Sequence, residues 1–453
     1  MARTGRAGRT EEAGRAAGAG RHASAPARVS GRDTARLAVR AVLPVLLGGG
    51  GGVTVHRRQG LALAARLDSD RRAVELLNHL RARYGPGPLH LRPAGRDIAL
   101  PLRAEDADRV LEETPDPFGP AVHEKHGPFG RVRPHGVPFS TGPEREARRA
   151  FGERALETGH HFHHLAPRFV RVVREEAGEL LDSAGAHAGR LDRDAFGAAW
   201  WRAVRRVLLG DAARDDTALT GRPGRLRAHL DRADPGSLAG ASARAAAGPR
   251  TGPADLADQM AHWLSAFDAA GAAAVRALAL LATHPAQEQQ VHNELAIPDL
   301  SRPQLLPYSR ACVLESVRLW PTTPFLLRES TRQTRWDEGA VLPAGTVFLV
   351  YAPFFHRDGS VPYGDRFVPE IWLDGTAHTG PALVPFGSGP GVCPGEDLAL
   401  LVTSTLVAAL MERHDFWLPG PARLRPGRPL PYTLDHSALC FTVTAKHGES
   451  RAR

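Results

Sequence analysis

Cys393 lies in the segment Pro385-Phe386-Gly387-Ser388-Gly389-Pro390-Gly391-Val392-Cys393-Pro394-Gly395, which fits the pattern Phe-x-x-Gly-x-x-x-Cys-x-Gly. An apolar stretch with helical spacing follows at once, from about Glu396 to Arg413. A thiolate at such a place can serve as a ligand to haem iron, where it pushes electron density onto the metal and favours cleavage of an O–O bond. The thiolate must itself be stabilised, and a helix beginning just after it supplies positive potential and free N–H groups. Gly389, Gly391 and Gly395 permit tight turns and close approach to a flat macrocycle. A lone cysteine among glycines is more often an ordinary buried thiol. Here the four fixed positions and the helix behind them reverse that preference, which makes Cys393 the candidate metal ligand and Phe386 its companion in the loop.

A second pair precedes the loop. Glu315 and Arg318 stand three apart in Glu315-Ser316-Val317-Arg318, so on a helix a carboxylate and a guanidinium share one face. Alone the pattern is weak. Its place gives it weight, with Arg318 lying 75 residues before Cys393. Asp268 is a carboxylate inside a largely apolar run, an expensive position unless it has work to do. His160, His161, His163 and His164 flank Phe162, but no cysteine or carboxylate framework accompanies them, and a metal site there is not favoured over a splayed helix end. No serine-nucleophile, phosphate-loop or dinucleotide motif meets its context requirement, and the glycine run 48–52 has no following Lys-Ser/Thr.

These residues need helices to hold them. Leu61 to Tyr84 reads as one helix, stopped by Gly85-Pro86-Gly87-Pro88, and Leu89 to Leu102 reads as a hairpin. Helical spacing covers 145–154, 166–181, 194–209 and a long run from Leu256 to His284, which Pro285 ends. Pro307 to Leu319 is a further helix, stopped by Pro321. Short strands follow at 326–331 and 346–351, and another closes the chain at 439–444. The reading is a mainly α (α+β) chain with small sheets at its margins and no internal repeat.

Composition bounds the class. Apolar residues make 42% and charged residues 24% of 453 residues, ordinary globular values. Two of the 58 basic residues are lysine, and 47 Gly and 37 Pro match the coding bias of a high-GC genome. Residues 1–40 carry a net +6 of the total +9 and almost no large apolar side chain, so they are expected to be a disordered basic extension, with one domain over 41–453. The mildly positive body argues against nucleic acid and suits an acidic protein partner. The three cysteines are scattered and odd in number, which suits a reducing cytoplasm. No segment is expected to span a membrane, the best candidate being the short stretch Ala41 to Leu47.

In order and spacing, the haem loop, the Glu-x-x-Arg helix, Arg328 in Pro324-Phe325-Leu326-Leu327-Arg328-Glu329, the Pro343-Ala344-Gly345-Thr346 turn and Asp365-Arg366-Phe367-Val368-Pro369-Glu370 resemble a soluble bacterial cytochrome P-450. The resemblance covers roughly residues 60–447. It implies the cytochrome P-450 fold, haem b (iron protoporphyrin IX) bound by Cys393, and a structural role for Glu315 and Arg318. Arg328 would bind a haem propionate, as would Arg145 and Arg149, which stand where the family has a His-x-x-x-Arg pair. Arg148 reads as a solvated surface charge. Asp268 would serve in proton delivery to bound dioxygen. Ala266, Phe267 and Ala270, with Thr322, Thr323 and Phe325, would line a mostly apolar substrate pocket.

The implied activity is monooxygenation of a small hydrophobic organic molecule by a cytoplasmic monomer. Electrons would come from a separate ferredoxin and ferredoxin reductase. The chain departs from the family pattern in four places. Ala269 stands where an alcohol is usual, Gly391 where a propionate-binding Arg or His is usual, and Ile371 where an arginine is expected. Arg366 is the candidate to compensate for Ile371. The stretch between Asp215 and Gly236 is short for the helix pair that usually lids the pocket. Ala269 keeps open a peroxide-using or rearranging enzyme of the same fold; Gly391 and Ile371 keep open a degenerate, non-catalytic haem-binding protein.

Overall fold

Asp68 breaks what apolar spacing makes look like a single helix. It sits in the left-handed region (φ 44°) between α2 (Arg58–Leu67) and α3 (Ser69–Tyr84). Its carboxylate accepts the backbone N–H groups of Tyr432 and Thr433, both at 3.1 Å. The break thus ties the start of the domain to its C-terminal loop. The computed structural model describes residues 28–44, 58–120, 137, 140–220, 223–232, 234–245, 253–296, 298–379, 382–419 and 424–446.

The expectation of a disordered stretch over 1–40 fails for its last part. Residues Gly31–Leu37 form α1, capped by the Ser30 side chain, which accepts from the Asp33 N–H. Leu37 and Ala41 are buried in a core shared with α3, and the Tyr84 hydroxyl donates to Asp33 at 2.9 Å. Residues 1–27 and the glycine run 48–52 lie outside the described residues.

The remaining elements follow in order: β1 (Leu89–Leu91), β2 (Ile98–Leu100), α4 (Ala104–Glu112), β3 (Phe118–Pro120), α5 (Gly142–Leu156), α6 (Ala166–Ala186), β4 (Arg190–Asp192) and α7 (Arg193–Leu209). Then come α8 (Pro223–Leu230), α9 (Leu238–Ala245), α10 (Pro253–Leu281), α11 (Pro285–Leu295), α12 (Pro307–Leu319), β5 (Phe325–Ser330), β6 (Thr334–Arg335), β7 (Val341–Leu342), β8 (Val347–Tyr351), α13 (Ala352–His356), α14 (Glu396–Met411), β9 (His414–Trp417) and β10 (Cys440–Ala445).

Among the described residues the strands form three small sheets, ordered β1-β2-β8-β5-β3, β4-β10-β9 and β6-β7. Only β2 and β8 pair in parallel; the other ladders are antiparallel. One core lies among α5, α6, α7, α10 and α14, with Phe151, Phe169, Trp200, Val204, Leu278 and Leu406 at its centre. A second lies between α3 and the larger sheet, around Leu77, Leu80, Phe118 and Phe348. The domain is helix-rich with marginal sheets, as the sequence predicts.

The 215–236 stretch does hold the start of a short helical pair, since α8 and α9 are eight residues each. The expectation that no segment is long and apolar enough to cross a membrane also needs correcting. Leu256–Leu281 passes by length and composition, but 67% of its apolar 18-residue window is buried inside the protein, as befits the central helix of a core.

Candidate haem-thiolate site

The loop before α14 is shaped by backbone that only some residues allow. Gly389 has φ 61°, and a Cβ there would lie 2.6 Å from the Leu111 carbonyl oxygen. The missing side chain lets the loop rest directly on the end of α4. The Cys393 N–H donates to the Phe386 carbonyl at 2.9 Å, which closes the loop under the thiol. Burial pushes the Cys393 thiol up, while the Gly395 N–H and the Arg149 guanidinium pull it back toward the thiolate. Arg149 is held for that task by the Val392 carbonyl at 2.7 Å and by Glu153 on its own helix.

Glu315 and Arg318 make the scaffold behind the loop. Both are 0% exposed and pair twice, each bond 2.7 Å. Arg318 also donates to the carbonyls of His356, Tyr363, Gly364 and Arg366 at 2.6–3.1 Å. Glu315 in turn accepts the Val368 N–H at 2.9 Å and the Trp372 indole N–H at 3.0 Å. Trp372 therefore fills the place of the expected arginine. Ile371 is buried apolar core, and the Arg366 side chain is exposed and contributes only its carbonyl, so the proposed compensation by Arg366 is corrected.

His356 links this scaffold to the loop. Its Nε2 accepts the Val384 N–H at 3.0 Å, which leaves Nδ1 to donate to the Arg318 carbonyl at 3.2 Å. Burial, with Arg318 nearby, pushes its pKa down to about 3.

A cavity of about 390 Å³ opens over Cys393. Ala266, Ala269, Ala270 and Ala273 of α10 line one wall, and their i, i+3, i+4, i+7 spacing makes that helix face flat and small. Cys393, Gly395 and Leu398 belong to the other side. Of the residues singled out from the sequence, Cys393, Phe386, Arg145, Arg149, Arg328, Ala266, Phe267, Ala270, Thr322 and Thr323 all border this one cavity.

Phe325 does not. Its ring packs 4.7 Å from that of Tyr351 against the second core, and its neighbour Leu326 faces the cavity instead. Successive strand residues point to opposite faces, so the expectation was one residue off. Asp268 lies on α10 between Phe267 and Ala269 but is not among the cavity-lining residues; its charge is felt by the buried guanidinium of Arg276. Arg148, read as solvated, is buried and paired with Glu144.

The expectation that no carboxylate accompanies the histidine cluster is corrected, since ligand atoms of Glu157, His163 and His164 lie within 4.8 Å of one another and His164 pairs with Glu157. His163 accepts the Leu165 N–H on Nδ1 and uses Nε2 toward the Ala155 carbonyl at 3.1 Å. Cavity residues that sequence reasoning missed include Gln259, His262 and Trp263. Stepping back from Ala266 by three, four and seven residues along the helix would have found all three.

The residues fit a haem. Among the described residues the Arg328 side chain bonds the Thr114 hydroxyl at 2.9 Å and the Leu327 carbonyl at 3.0 Å. Neither Arg328 nor Arg145 has an ion pair among the described residues. Burial, and then the neighbouring Arg145 charge, pulls the Arg328 pKa down to about 10. Guanidiniums placed together away from water call for an anion, and the two carboxylates of a haem supply it. The thiol of Cys393 and the flat alanine face of α10 complete the cradle.

The family model for Cytochrome P450 matches residues 270–426, which hold Arg318, Arg328 and Cys393. Cyclooctat-9-en-7-ol 5-monooxygenase of Streptomyces melanosporofaciens is 35% identical over 156 residues, 32% of this chain and 32% of that protein. Ferruginol synthase 1 of Rosmarinus officinalis is 36% identical over 148 residues, 31% of this chain and 29% of that one. Cytochrome P450 2U1 of Bos taurus is 28% identical over 156 residues, 32% of this chain and 29% of that one. The matched stretches thus span about a third of these relatives. A cysteine loop closed on Phe386, a buried Glu-x-x-Arg scaffold and an arginine pair in one cavity agree with that match, which assigns residues 270–426 of this chain to the cytochrome P450 family.

Proposed function

We propose that this chain is a haem-thiolate monooxygenase that places one atom of dioxygen into a small, largely apolar organic molecule. The observation that carries the reading is the meeting of Cys393, Arg145, Arg328 and the alanine face of α10 at a single cavity. Haem, when bound, supplies dioxygen activation and electron storage. The chain supplies the rest. Cys393 would ligate the haem iron. Arg145, Arg149 and Arg328 would hold the haem carboxylates. The α10 face and Leu326 exclude water from one side and accept an apolar substrate. Asp268, beside the cavity, serves in proton delivery, by a route that runs past Ala269 without a side-chain hydroxyl at that position.

Electrons come from a separate redox protein, and a ferredoxin with its reductase suits the positively charged body. The names of two relatives speak of a monooxygenase acting on an alcohol and of a synthase of ferruginol. They support an organic substrate of similar kind. Scattered unpaired cysteines support action in a reducing cytoplasm.

Ala269 favours one second reading, the same fold driven by peroxide. The carbon monoxide difference spectrum of the dithionite-reduced protein tests the thiolate first. The strongly red-shifted Soret band is expected, and Cys393→Ala should remove it. A well-folded protein that takes up no haem would end the enzyme reading. Turnover with peroxide but not with reductant and oxygen would select the second reading over the first.

A further inference from the structure

Ala266, Ala269, Ala270 and Ala273, which α10 turns to the cavity, end at Cβ. Side chains so short form no ridge that could key the helix into a neighbour. The rotation of α10 over the cavity must therefore be set from its flanks. Two neighbouring helices grip its backbone. From α7, the Trp200 indole N–H donates to the Phe267 carbonyl at 2.9 Å. From α12, the Ser316 hydroxyl donates to the Ala273 carbonyl at 2.9 Å. These two carbonyls bracket Ala269 and Ala270. The join to α12 is doubled, since Arg276 donates to the Trp320 carbonyl at 2.6 Å.

The grip from α7 is built into the sequence at two positions. Within the helix the Phe267 carbonyl meets the N–H of Gly271, four residues on. A carbonyl has a second lone pair, and Trp200 takes it. Gly271 makes the room: a Cβ there would lie 2.4 Å from Trp200 Nε1 and 2.7 Å from its Cδ1. Glycine is a poor residue for a helix interior, and this close approach gives it a reason to be there. Trp200 is 3% exposed, and its ring centre lies 6.2 Å from that of Phe267.

The Phe267 carbonyl belongs to the peptide that joins Phe267 to Asp268. That unit is planar, so a donor that fixes the carbonyl also fixes the backbone from which Asp268 projects. We propose that Trp200, seated against Gly271, is a positioning residue for the reaction. It sets the rotation of α10 beside the bound haem, and with it the places of Asp268 and Ala269. Trp200 itself does not border the cavity. The inference rests on the haem-thiolate reading above and adds to it a residue that acts on the cavity wall from behind.

The test uses the haem-loaded full chain, reduced and bound to carbon monoxide, and reads the infrared stretch of the bound carbon monoxide. That frequency responds to the groups pressed against the ligand, and it needs neither substrate nor turnover. Trp200→Phe removes the donor and keeps a ring. Gly271→Ala keeps the donor and takes its room. Each should shift or split the band relative to the unaltered protein. The double variant should go no further than the larger single effect, because one contact can be lost only once. Leu77→Ala, in the second core, destabilises the fold as a large-to-small change does and should leave the band in place. The proposal is overturned if Trp200→Phe and Gly271→Ala leave the band unmoved, or if Leu77→Ala moves it as far as they do. If one of the two variants does not fold, the other decides. A Soret band that is not red-shifted in the unaltered protein would instead overturn the haem-thiolate reading; a red-shifted band with an unmoved stretch overturns the role of Trp200 alone.

Discussion

Arg328 takes the space that a side chain at Gly391 would need: a Cβ built on Gly391 lies 2.2 Å from Arg328 Nη2. Arg328 stands where the resemblance puts a propionate ligand, and Gly391, without a side chain, leaves its guanidinium the room it occupies. Gly391→Ala should push the Arg328 guanidinium off its seat between Thr114 and the cavity. The expected cost is about 1–3 kcal/mol, as for overpacking at a tight site. It should appear as faster haem loss to an excess of apomyoglobin, with the red-shifted carbon monoxide band retained. Unchanged haem retention would mean that Arg328 is not a carboxylate ligand.

Trp372 closes the Glu-Arg scaffold with an indole N–H where the family pattern leads one to expect a guanidinium. Its 3.0 Å bond to Glu315 meets a carboxylate that is 0% exposed. Trp372→Phe keeps most of the ring but leaves that oxygen short of a donor. Arg318 Nε still bonds that oxygen at 2.7 Å, so a loss of about 1.5–3 kcal/mol in unfolding free energy is expected, the range for one hydrogen bond to a charged group. Ile371→Arg should not rescue it. Ile371 is 3% exposed in apolar surroundings, and a guanidinium placed there is unpaired and destabilising. Urea unfolding of the two single variants and the double variant reads both effects.

His356 gives the fold an acid sensitivity with a definite sign. Its pKa falls from an ordinary 6.5 to about 3 because it is buried beside Arg318. The unfolded chain binds a proton there below pH 6.5, whereas the folded chain does so only near pH 3. The stability this group confers is therefore fully present above pH 6.5 and is lost as the pH falls from there toward 3. Between pH 7 and 5.5 the native protein should lose about 1–2 kcal/mol more than His356→Gln, at roughly 1.4 kcal/mol per pH unit. Asp106 and Glu396 shift the other way, to about 6 and about 7. The comparison must therefore be native against variant at each pH, by urea midpoint, rather than the native profile alone.

The sequence disclosed what rests on short-range spacing and hid what rests on pairing across the chain. Cys393 with its glycines and Glu315 with Arg318 are local patterns, and both occupy the expected places. The α12 boundaries, Pro307 and Leu319, were legible because proline marks the start and Pro321 the stop. Trp372 on Glu315, His356 on Val384 and Arg328 against Gly391 join residues 28–63 positions apart, with no repeat or motif to announce them. Phe325 was placed by its position after the Glu-x-x-Arg helix, but it opens β5, where successive side chains point to opposite faces and Leu326 takes the cavity side. Leu61 to Tyr84 was read as one helix because Asp68, which breaks it, is helix-compatible in sequence and is turned by its bonds to Tyr432 and Thr433.

Ala269 is where a single substitution separates the two oxidants. The cavity face of α10 is alanine at 266, 269, 270 and 273, so a threonine at 269 would set a hydroxyl among small side chains with room to take it. Its helix cost is small, about 0.5 kcal/mol. A positioned hydroxyl beside Asp268 can order the path along which protons reach bound dioxygen. If the chain runs on oxygen and reductant, Ala269→Thr should raise the fraction of reductant that ends in product, and release of hydrogen peroxide should fall. A positioned proton donor contributes roughly 10²-fold or more where it is rate-limiting, so a gain of even a few-fold is measurable. If peroxide is the native oxidant, the same substitution should leave peroxide-driven turnover unchanged or slower, with no gain under oxygen. Product formed per reductant consumed, measured beside peroxide-driven turnover on the same two proteins, distinguishes these outcomes.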